Sequence, residues 1–251
     1  MVETPSPESF GATVRRLSSA QKKRAPGAPP YSIYVNRPVG RIVAAAAYRA
    51  GLTPNHVTLL SAGLTFAGIA IIATVPPLWW TGLVVWFLLA LGYAFDSADG
   101  QVARLRGGGS PAGEWLDHVV DSAKTVSLHV AVAIAVYRFF PFDDAWALIP
   151  LGFAIVATVS FFAMILNDLL KTIHGSDAPR SGREPSALRS LLLIPTDYGI
   201  HCAVFVLLSL PVVFLSVYGL LFVACAGHLA LALNKWFGDM GALHGRVSTN
   251  V

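Results

Sequence analysis

The sequence predicts an all-α membrane protein whose chain crosses the bilayer six times. Of its 251 residues, 55% are hydrophobic and only 13% are charged, whereas about 25% of the residues in a typical soluble domain are charged. The mean hydropathy is +0.61. This composition excludes a disordered chain, a collagen-like chain and a nucleic-acid-binding tail protein. The two cysteines, Cys202 and Cys225, lie in apolar runs without metal-ligand spacing and are predicted to be buried.

The first two spans come from one long stretch without Asp, Glu, Lys or Arg, from Ala50 to Phe95. A span requires about 20 apolar residues, so this stretch is long enough for two. The pair Pro76-Pro77 divides it, which predicts spans at residues 56–75 and 78–98.

Four further spans follow by the same criterion. The third is predicted at 114–137, although its first half carries charged residues, and the fourth at 145–167, running on towards 170. Pro211 divides the charge-free stretch 198–234, which predicts the fifth span at 198–210 with a few preceding residues and the sixth at 212–234. The segment 37–48 is predicted to form an amino-terminal helix lying in the membrane interface beside the first span.

The basic residues predict the orientation of the spans. Sixteen of the 18 Lys and Arg residues fall on one side if the amino end is cytoplasmic, and this bias is typical of cytoplasmic loops. We therefore expect a multi-pass protein of the cell membrane with both termini in the cytoplasm. The bias also explains the sequence pI of about 9.2 without any nucleic-acid partner.

The two ends of the chain are predicted to lie outside the membrane domain. Residues 1–36 are polar, Pro-rich and basic, and they contain no apolar core of a signal peptide. We expect a disordered basic cytoplasmic tail at 1–36, a six-helix membrane domain at 37–236 and a cytoplasmic carboxyl-terminal tail at 237–251.

Four aspartates at the facing ends of the second and third spans predict a site. Asp96 and Asp99 share one stripe of a helix, and Asp117 and Asp121 share a stripe of the next. A short loop, 105–112, joins the two helices as an antiparallel hairpin, so the stripes are able to face each other. Because acidic side chains in membrane helices are costly, such residues point to function.

Four carboxylates that lie close together repel one another, and bound divalent cations would neutralise this repulsion. Oxygen-only ligands suit Mg²⁺ or Mn²⁺ rather than zinc, and four negative charges match two such ions. Paired metals are a common device of phosphoryl chemistry. Small residues share the acidic faces and leave room for a ligand, and Arg104 offers a planar donor group for a phosphate. The small residues are Gly100, Ala103 and Gly113.

The segment from Asp96 to Asp121 reads D-x2-D-G-x2-A-R-x8-G-x3-D-x3-D. This pattern resembles the signature of the CDP-alcohol phosphotransferase family, also called CDP-alcohol phosphatidyltransferases, at all eight fixed positions. The upstream TPNHVT, residues 53–58, resembles the family's segment at the start of the first span. The resemblance covers roughly residues 38–235.

The resemblance implies a reaction in which an acceptor hydroxyl attacks the β-phosphate of a CDP-linked alcohol and CMP leaves. It implies that Asp96, Asp99 and Asp117 are metal ligands, with Asp121 a further ligand or the general base. It also implies a nucleotide site and a homodimer. The implied nucleotide-binding residues are Gly100, Ala103, Arg104, Gly113, Asn55 and Thr58. The candidate acceptor-binding residues are Lys124, Arg180, Arg183 and Arg189.

Several alternatives remain open at this point. The donor is expected to be CDP-diacylglycerol, with inositol phosphate, glycerol phosphate or serine as the acceptor. A soluble CDP-alcohol donating to a lipid or small-molecule acceptor is the alternative. From other classes, a divalent-cation transporter or an inactive scaffold would also place carboxylates in membrane helices. For Lys124, a structural counter-charge and a substrate contact are equally compatible with its position one turn beyond Asp121.

Overall fold

The computed structural model describes residues 9–19, 29–174 and 193–247. Within these ranges the chain forms eight α-helices joined by short turns. They are α1 (Phe10–Ser19), α2 (Arg37–Arg49), α3 (Pro54–Thr74), α4 (Thr81–Leu105), α5 (Pro111–Phe139), α6 (Leu148–Ile173), α7 (Tyr198–Val204) and α8 (Pro211–Val247). A π-helical segment, Ser32–Asn36, leads into α2, and 3₁₀ turns lie at Asp144–Ala147, Ile194–Thr196 and Phe205–Leu207.

Five of these helices are long and apolar enough to cross a membrane. They are α3, α4, α5, the continuous segment Asp144–Ile173 that contains α6, and Pro211–Leu243 of α8. The predicted multi-pass, all-α class is confirmed. The predicted fifth span at 198–210 appears as a shorter apolar segment, Tyr198–Leu207. Because residues 175–192 lie outside the described ranges, the count of six spans stays a prediction.

The hairpin of α4 and α5 is fixed by local sequence. The backbone has positive φ at Gly107 (95°) and Gly108 (134°), a conformation that glycine adopts without strain. Ser110 then caps α5, since its hydroxyl accepts a hydrogen bond from the backbone N–H of Gly113 at 3.1 Å. Pro111 occupies the first turn of α5, where its missing N–H costs no helical hydrogen bond.

Helix α3 packs closely against α4 and begins at a capping box. The Thr53 hydroxyl accepts from the N–H of His56 at 3.3 Å, and His56 Nδ1 accepts from the N–H of Thr53 at 3.4 Å. Further along, a Cβ at Gly92 would lie 2.3 Å from Thr65 Oγ1, so only glycine allows this approach. The apolar core lies at the other end of the bundle, away from the α4–α5 loop. It includes Ile72, Val85, Leu89, Val132, Phe153, Phe205 and Phe214.

The amino-terminal segment differs from its prediction. Residues 1–36 were predicted to be disordered, but residues 10–19 form α1, which packs on α2. Leu17 is only 2% exposed and joins Ala44, Ala45 and Val57 in a small apolar cluster. Because this short apolar face contributes few residues, the polar composition of the whole segment does not indicate the helix. At the other end, α8 continues past residue 236 to Val247; the domain boundaries at 36 and 236 remain predictions.

A buried carboxylate ties the amino-terminal segment to α7. Asp197, 1% exposed, accepts hydrogen bonds from the backbone N–H groups of Tyr31 (2.8 Å), Ser32 (3.3 Å) and Gly199 (3.1 Å). A Cβ on Gly199 would overlap the Tyr31 ring. Burial, with smaller contributions from Cys202 and Asp197, raises the pKa of the Tyr31 hydroxyl.

Candidate active site

Helices α4 and α5 bring three of the four predicted aspartates together. One carboxylate oxygen from each of Asp96, Asp117 and Asp121 lies within 4.8 Å of the others. All three side chains are partly exposed. Helix α3 packs against both α4 and α5, and so holds the late turns of α4 within side-chain reach of the early turns of α5. We refer to these three residues as the acidic cluster.

Asp99, the fourth predicted aspartate, is not one of the three residues of the acidic cluster, but its side chain adjoins that of Asp117. It is 8% exposed, and its carboxylate accepts a hydrogen bond of 2.7 Å from the Thr58 hydroxyl and another from the N–H of Gly100. Thr58, which the resemblance implies to be a nucleotide-binding residue, therefore positions Asp99 from α3. In this geometry both oxygens of Asp99 are engaged by groups of the chain itself.

Lys124 reaches the acidic cluster from the next turn of α5. Its Nζ lies 2.6 Å from Asp96 Oδ1, 3.0 Å from Asp121 Oδ1 and 3.0 Å from Ser61 Oγ. Ser61 is fully buried and was not predicted as a site residue. The signal for it is present in the sequence, since Thr58, Ser61 and Thr65 form a polar stripe at helical spacing on an apolar span.

The acidic cluster fits a divalent cation. Among the described residues Asp117 Oδ1 is buried and accepts no hydrogen bond, although a buried polar atom normally has a partner. The neighbouring ligand atoms are all carboxylate oxygens, the donors that Mg²⁺ and Mn²⁺ prefer. These three carboxylates could hold a metal ion, and such an ion would give Asp117 Oδ1 the partner it lacks.

The remaining predicted nucleotide residues lie around the loop between α4 and α5. A Cβ on Gly113 would lie 3.1 Å from Asn55 Oδ1, so the start of α3 meets the start of α5 there. Arg104 is exposed, and a Cβ on Gly100 would lie 3.6 Å from its Nη1. Ala103, 9% exposed, follows on the same helix. The candidate acceptor-binding residues Arg180, Arg183 and Arg189 lie outside the described ranges.

A cavity of about 520 Å³ adjoins the acidic cluster. Asp96, Asp121 and Lys124 form part of its wall, and helices α5, α6 and α8 supply most of the rest. The lining is mainly apolar and aromatic and includes Phe153, Phe161, Leu229 and Trp236. Three histidines add polar groups to it: His129, His201 and His228. His129 Nδ1 contacts the Tyr218 hydroxyl, and His201 Nε2 donates to the Pro195 carbonyl at 2.8 Å. The carboxylates thus border a cavity large enough for an organic substrate.

Comparison with known proteins agrees with the motif. The phosphatidylinositol phosphate synthase of Corynebacterium glutamicum is 41% identical over 83 residues, 32% of this chain and 35% of that protein. The enzyme of the same name from Mycolicibacterium smegmatis is 42% identical over 84 residues, 33% of this chain and 36% of that protein. The matched segment thus spans about a third of the length of these curated relatives.

A solved structure was also matched. It is the phosphatidylinositol phosphate synthase of Mycobacterium tuberculosis in complex with manganese and citrate, with a TM-score of 0.48 and 23% sequence identity over 78% of this chain and 87% of that chain.

The family model described as CDP-alcohol phosphatidyltransferase matches residues 51–233. That range contains α3 to α7, most of α8, and every residue of the acidic cluster. Because the match covers well over half of the sequence, the chain belongs to the CDP-alcohol phosphatidyltransferase family.

Proposed function

We propose that this protein is a CDP-alcohol phosphotransferase of phospholipid biosynthesis, which moves a substituted phosphate from a CDP-alcohol to an acceptor hydroxyl and releases CMP. The observation that carries the proposal is the convergence of Asp96, Asp117 and Asp121, from two helices, within 4.8 Å. These residues are three of the eight fixed positions of the family signature. An unpartnered carboxylate oxygen on Asp117 supports a cation there.

The acceptor's hydroxyl oxygen attacks the β-phosphorus of the CDP-alcohol. A new P–O bond forms, the anhydride P–O bond breaks, and its electron pair leaves with CMP. The hydroxyl proton passes to a carboxylate, for which Asp121 is our candidate, because it belongs to the acidic cluster and also lines the cavity. The products are a phosphodiester and CMP.

Positioning and charge neutralisation supply most of the catalysis in phosphoryl transfer. Mg²⁺ or Mn²⁺ would be held by Asp96, Asp117 and Asp121, with Asp99 as a further ligand. We propose two ions, because the negative charges of four carboxylates balance two divalent cations. When bound, such ions neutralise the negative charge of the phosphates. Asp99 could join them without losing its hydrogen bonds from Thr58 and Gly100, because each carboxylate oxygen has a second lone pair.

The nucleotide is proposed to bind at the loop side of the cluster. There the small residues of α4 and α5 leave room beside the carboxylates, and the exposed Arg104 supplies a guanidinium for a phosphate. The residues proposed for this site are Gly100, Ala103, Arg104, Gly113, Asn55 and Thr58.

CDP-diacylglycerol is the donor that we propose. The similar proteins are named for a phosphatidyl product, and a cluster placed near one end of the membrane helices allows a lipid to remain in the bilayer during the reaction. For the acceptor we propose a small hydroxylated molecule such as inositol phosphate, glycerol phosphate or serine. Arg180, Arg183 and Arg189 remain the candidates for its binding, whereas the fourth candidate, Lys124, already contacts Asp96 and Asp121.

The proposed setting is the cell membrane, with both termini in the cytoplasm and a homodimer as the assembly. The distribution of Lys and Arg between the spans supports this orientation. Cysteine substitutions in α1 and in the loop at 140–147, labelled with an impermeant thiol reagent in cells, test it. We expect the loop to be labelled in intact cells and α1 only after the membrane is opened, and the reverse pattern would overturn the orientation.

CMP release by the purified protein tests the reaction. The full chain in nanodiscs with Mg²⁺ would receive CDP-diacylglycerol and each acceptor in turn, with CDP-ethanolamine plus diacylglycerol as the soluble-donor comparison. Acceptor-dependent CMP from CDP-diacylglycerol is the expected result. CMP only from the soluble donor would overturn the donor assignment, and no binding of metal or CDP would overturn the proposed function.

A further inference from the structure

Lys124 places a positive charge inside the cluster that is proposed to bind metal. We propose that its ammonium group is a built-in counter-ion, which holds Asp96 and Asp121 in place when no divalent cation is bound and competes with the cation for them. This inference rests on the proposed function, because it takes the acidic cluster as the metal site. It assigns Lys124 a positioning role.

The hydrogen bonds of Lys124 account for its whole donor capacity. An ammonium group has three N–H donors, and Nζ has three partners: Asp96 Oδ1 at 2.6 Å, Asp121 Oδ1 at 3.0 Å and Ser61 Oγ at 3.0 Å. An acceptor phosphate would therefore bind Lys124 only by breaking one of these contacts. This geometry favours the counter-charge interpretation of Lys124 over the substrate contact.

The location of Lys124 makes the pairing obligatory. The residue is 6% exposed, and a buried ammonium group is strongly unfavourable unless it is paired and hydrogen-bonded. Lys124 also lies three residues after Asp121 on α5, on the same face of the helix. Ser61 is held in turn, because its hydroxyl lies 2.7 Å from the Gly92 carbonyl of α4. Three helices thus fix the ammonium group at the cluster.

The same carboxylates would serve both cations. Asp96 Oδ1 and Asp121 Oδ1 bind Nζ, and these two carboxylates are two of the three that could hold a metal ion. A divalent cation at the cluster would lie within a few ångströms of the ammonium group and would be repelled by it. Lys124 therefore stabilises the metal-free protein and lowers the affinity for metal. Asp117, which does not contact Lys124, keeps the unpartnered oxygen at which a cation would first bind.

The test compares metal affinity with thermal stability. Lys124→Met removes the charge and keeps a side chain of similar length. Lys171→Met is the matched control, because Lys171 forms an ion pair with Asp239 at 2.8 Å, outside the cluster. For the full chain in detergent, the melting temperature would be measured in chelator and in saturating Mn²⁺, and the Mn²⁺ dissociation constant by calorimetry.

We expect Lys124→Met to melt at a lower temperature in chelator, to gain more from Mn²⁺ than the wild type, and to bind Mn²⁺ at least about tenfold more tightly. Lys171→Met should leave the Mn²⁺ affinity unchanged. A purely structural lysine would instead lower the melting temperature equally with and without metal. That result, or unchanged or weaker Mn²⁺ binding by Lys124→Met, would overturn the inference while leaving the proposed function standing.

A second variant covers the case in which Lys124→Met does not fold without metal. The double variant Lys124→Met/Asp121→Asn removes one charge of each sign, so it should melt in chelator at a higher temperature than Lys124→Met alone. Absence of this recovery would contradict the counter-ion role. If the wild type itself binds no Mn²⁺, the proposed function and this inference fall together.

Discussion

The buried Asp197 and the partly exposed aspartates of the acidic cluster show that the same residue type stabilises the fold in one place and forms a candidate metal site in another. Asp197 accepts three backbone hydrogen bonds, is 1% exposed and joins two segments that are far apart in the sequence. The carboxylates of the acidic cluster instead face each other within 4.8 Å, and one oxygen of Asp117 is buried without a hydrogen bond.

The difference lies in what neutralises the charge. Three N–H dipoles at the start of two helical segments stabilise the Asp197 carboxylate, and nothing further is needed. The acidic cluster has one ammonium group, from Lys124, for three carboxylates. Because the negative charges of the cluster are incompletely neutralised, its carboxylates repel one another, and a bound cation would remove this repulsion. Substitutions in the two regions should therefore separate stability from catalysis.

Asp121→Asn is expected to have the largest effect. An amide does not take the proton of the acceptor hydroxyl, so the rate of CMP release should fall at least about a hundredfold. CDP binding in the presence of Mg²⁺ should largely persist, because the other carboxylates remain. Calorimetry with CDP and the CMP assay measure the two effects.

Glu114→Gln is the matched control for this prediction. Glu114 lies on the first turn of α5, its side chain is 72% exposed, and it is not part of the acidic cluster. Its turnover should match that of the wild type. Near-normal turnover in Asp121→Asn would contradict the assignment of Asp121 as the base.

Asp96→Asn should weaken metal and nucleotide binding together. The substitution removes a negative charge directly at the site where a cation would lie, so the Mn²⁺ dissociation constant should rise about tenfold or more. Because the nucleotide's phosphates depend on the metal, the affinity for CDP should fall in parallel. An unaltered Mn²⁺ titration would rule out Asp96 as a ligand.

Asp197→Ala tests the other side of the comparison. It leaves three buried N–H groups without their acceptor, and unpaired buried groups cost about 1–3 kcal/mol each, so the free energy of unfolding should fall by at least about 2 kcal/mol. The Mn²⁺ affinity of the folded protein should not change. Asp143→Ala, at an exposed position without a side-chain cap, is the control and should change neither quantity. Loss of Mn²⁺ binding in folded Asp197→Ala would contradict the claim that Asp197 contributes to stability and not to metal binding.

Thr58→Val should have the smallest effect. It removes the 2.7 Å hydrogen bond to Asp99, and a typical intramolecular hydrogen bond contributes about 0.5–1.5 kcal/mol to stability. Because Asp99 keeps its bond to Gly100, we expect a drop of about 1 kcal/mol in the free energy of unfolding and a small change in CDP affinity. Thr74→Val, where the hydroxyl bonds only to a carbonyl of its own helix, is the comparison. An equal effect in both variants would mean that Thr58 does not support the site.

Local patterns were sufficient to predict much of this architecture. The charge-free stretches indicated the long helices, and the i, i+4 spacing of Asp117 and Asp121 indicated a shared face. The short loop at 105–112 indicated that the acidic ends of α4 and α5 lie near each other. Each of these features depends on residues that are close together in the sequence.

The features that escaped prediction depend on distant residues. The contact of Asp197 with Tyr31 spans 166 positions, and that of Lys124 with Ser61 spans 63, so neither follows from helical spacing. The hydrogen bond from the Thr58 hydroxyl to Asp99 likewise joins two helices and spans 41 positions. The ordering of α1 depends on the small side chains of α2 against which Leu17 packs.

Locating a bound cation tests the central claim most directly. Crystals of the full chain grown with Mn²⁺ and CDP would be measured at the manganese absorption edge, where anomalous scattering identifies the metal. The account predicts an anomalous peak among the carboxylates of Asp96, Asp117 and Asp121, which is lost in Asp96→Asn. Manganese bound elsewhere, or CDP bound with no metal between it and the acidic cluster, would contradict the account.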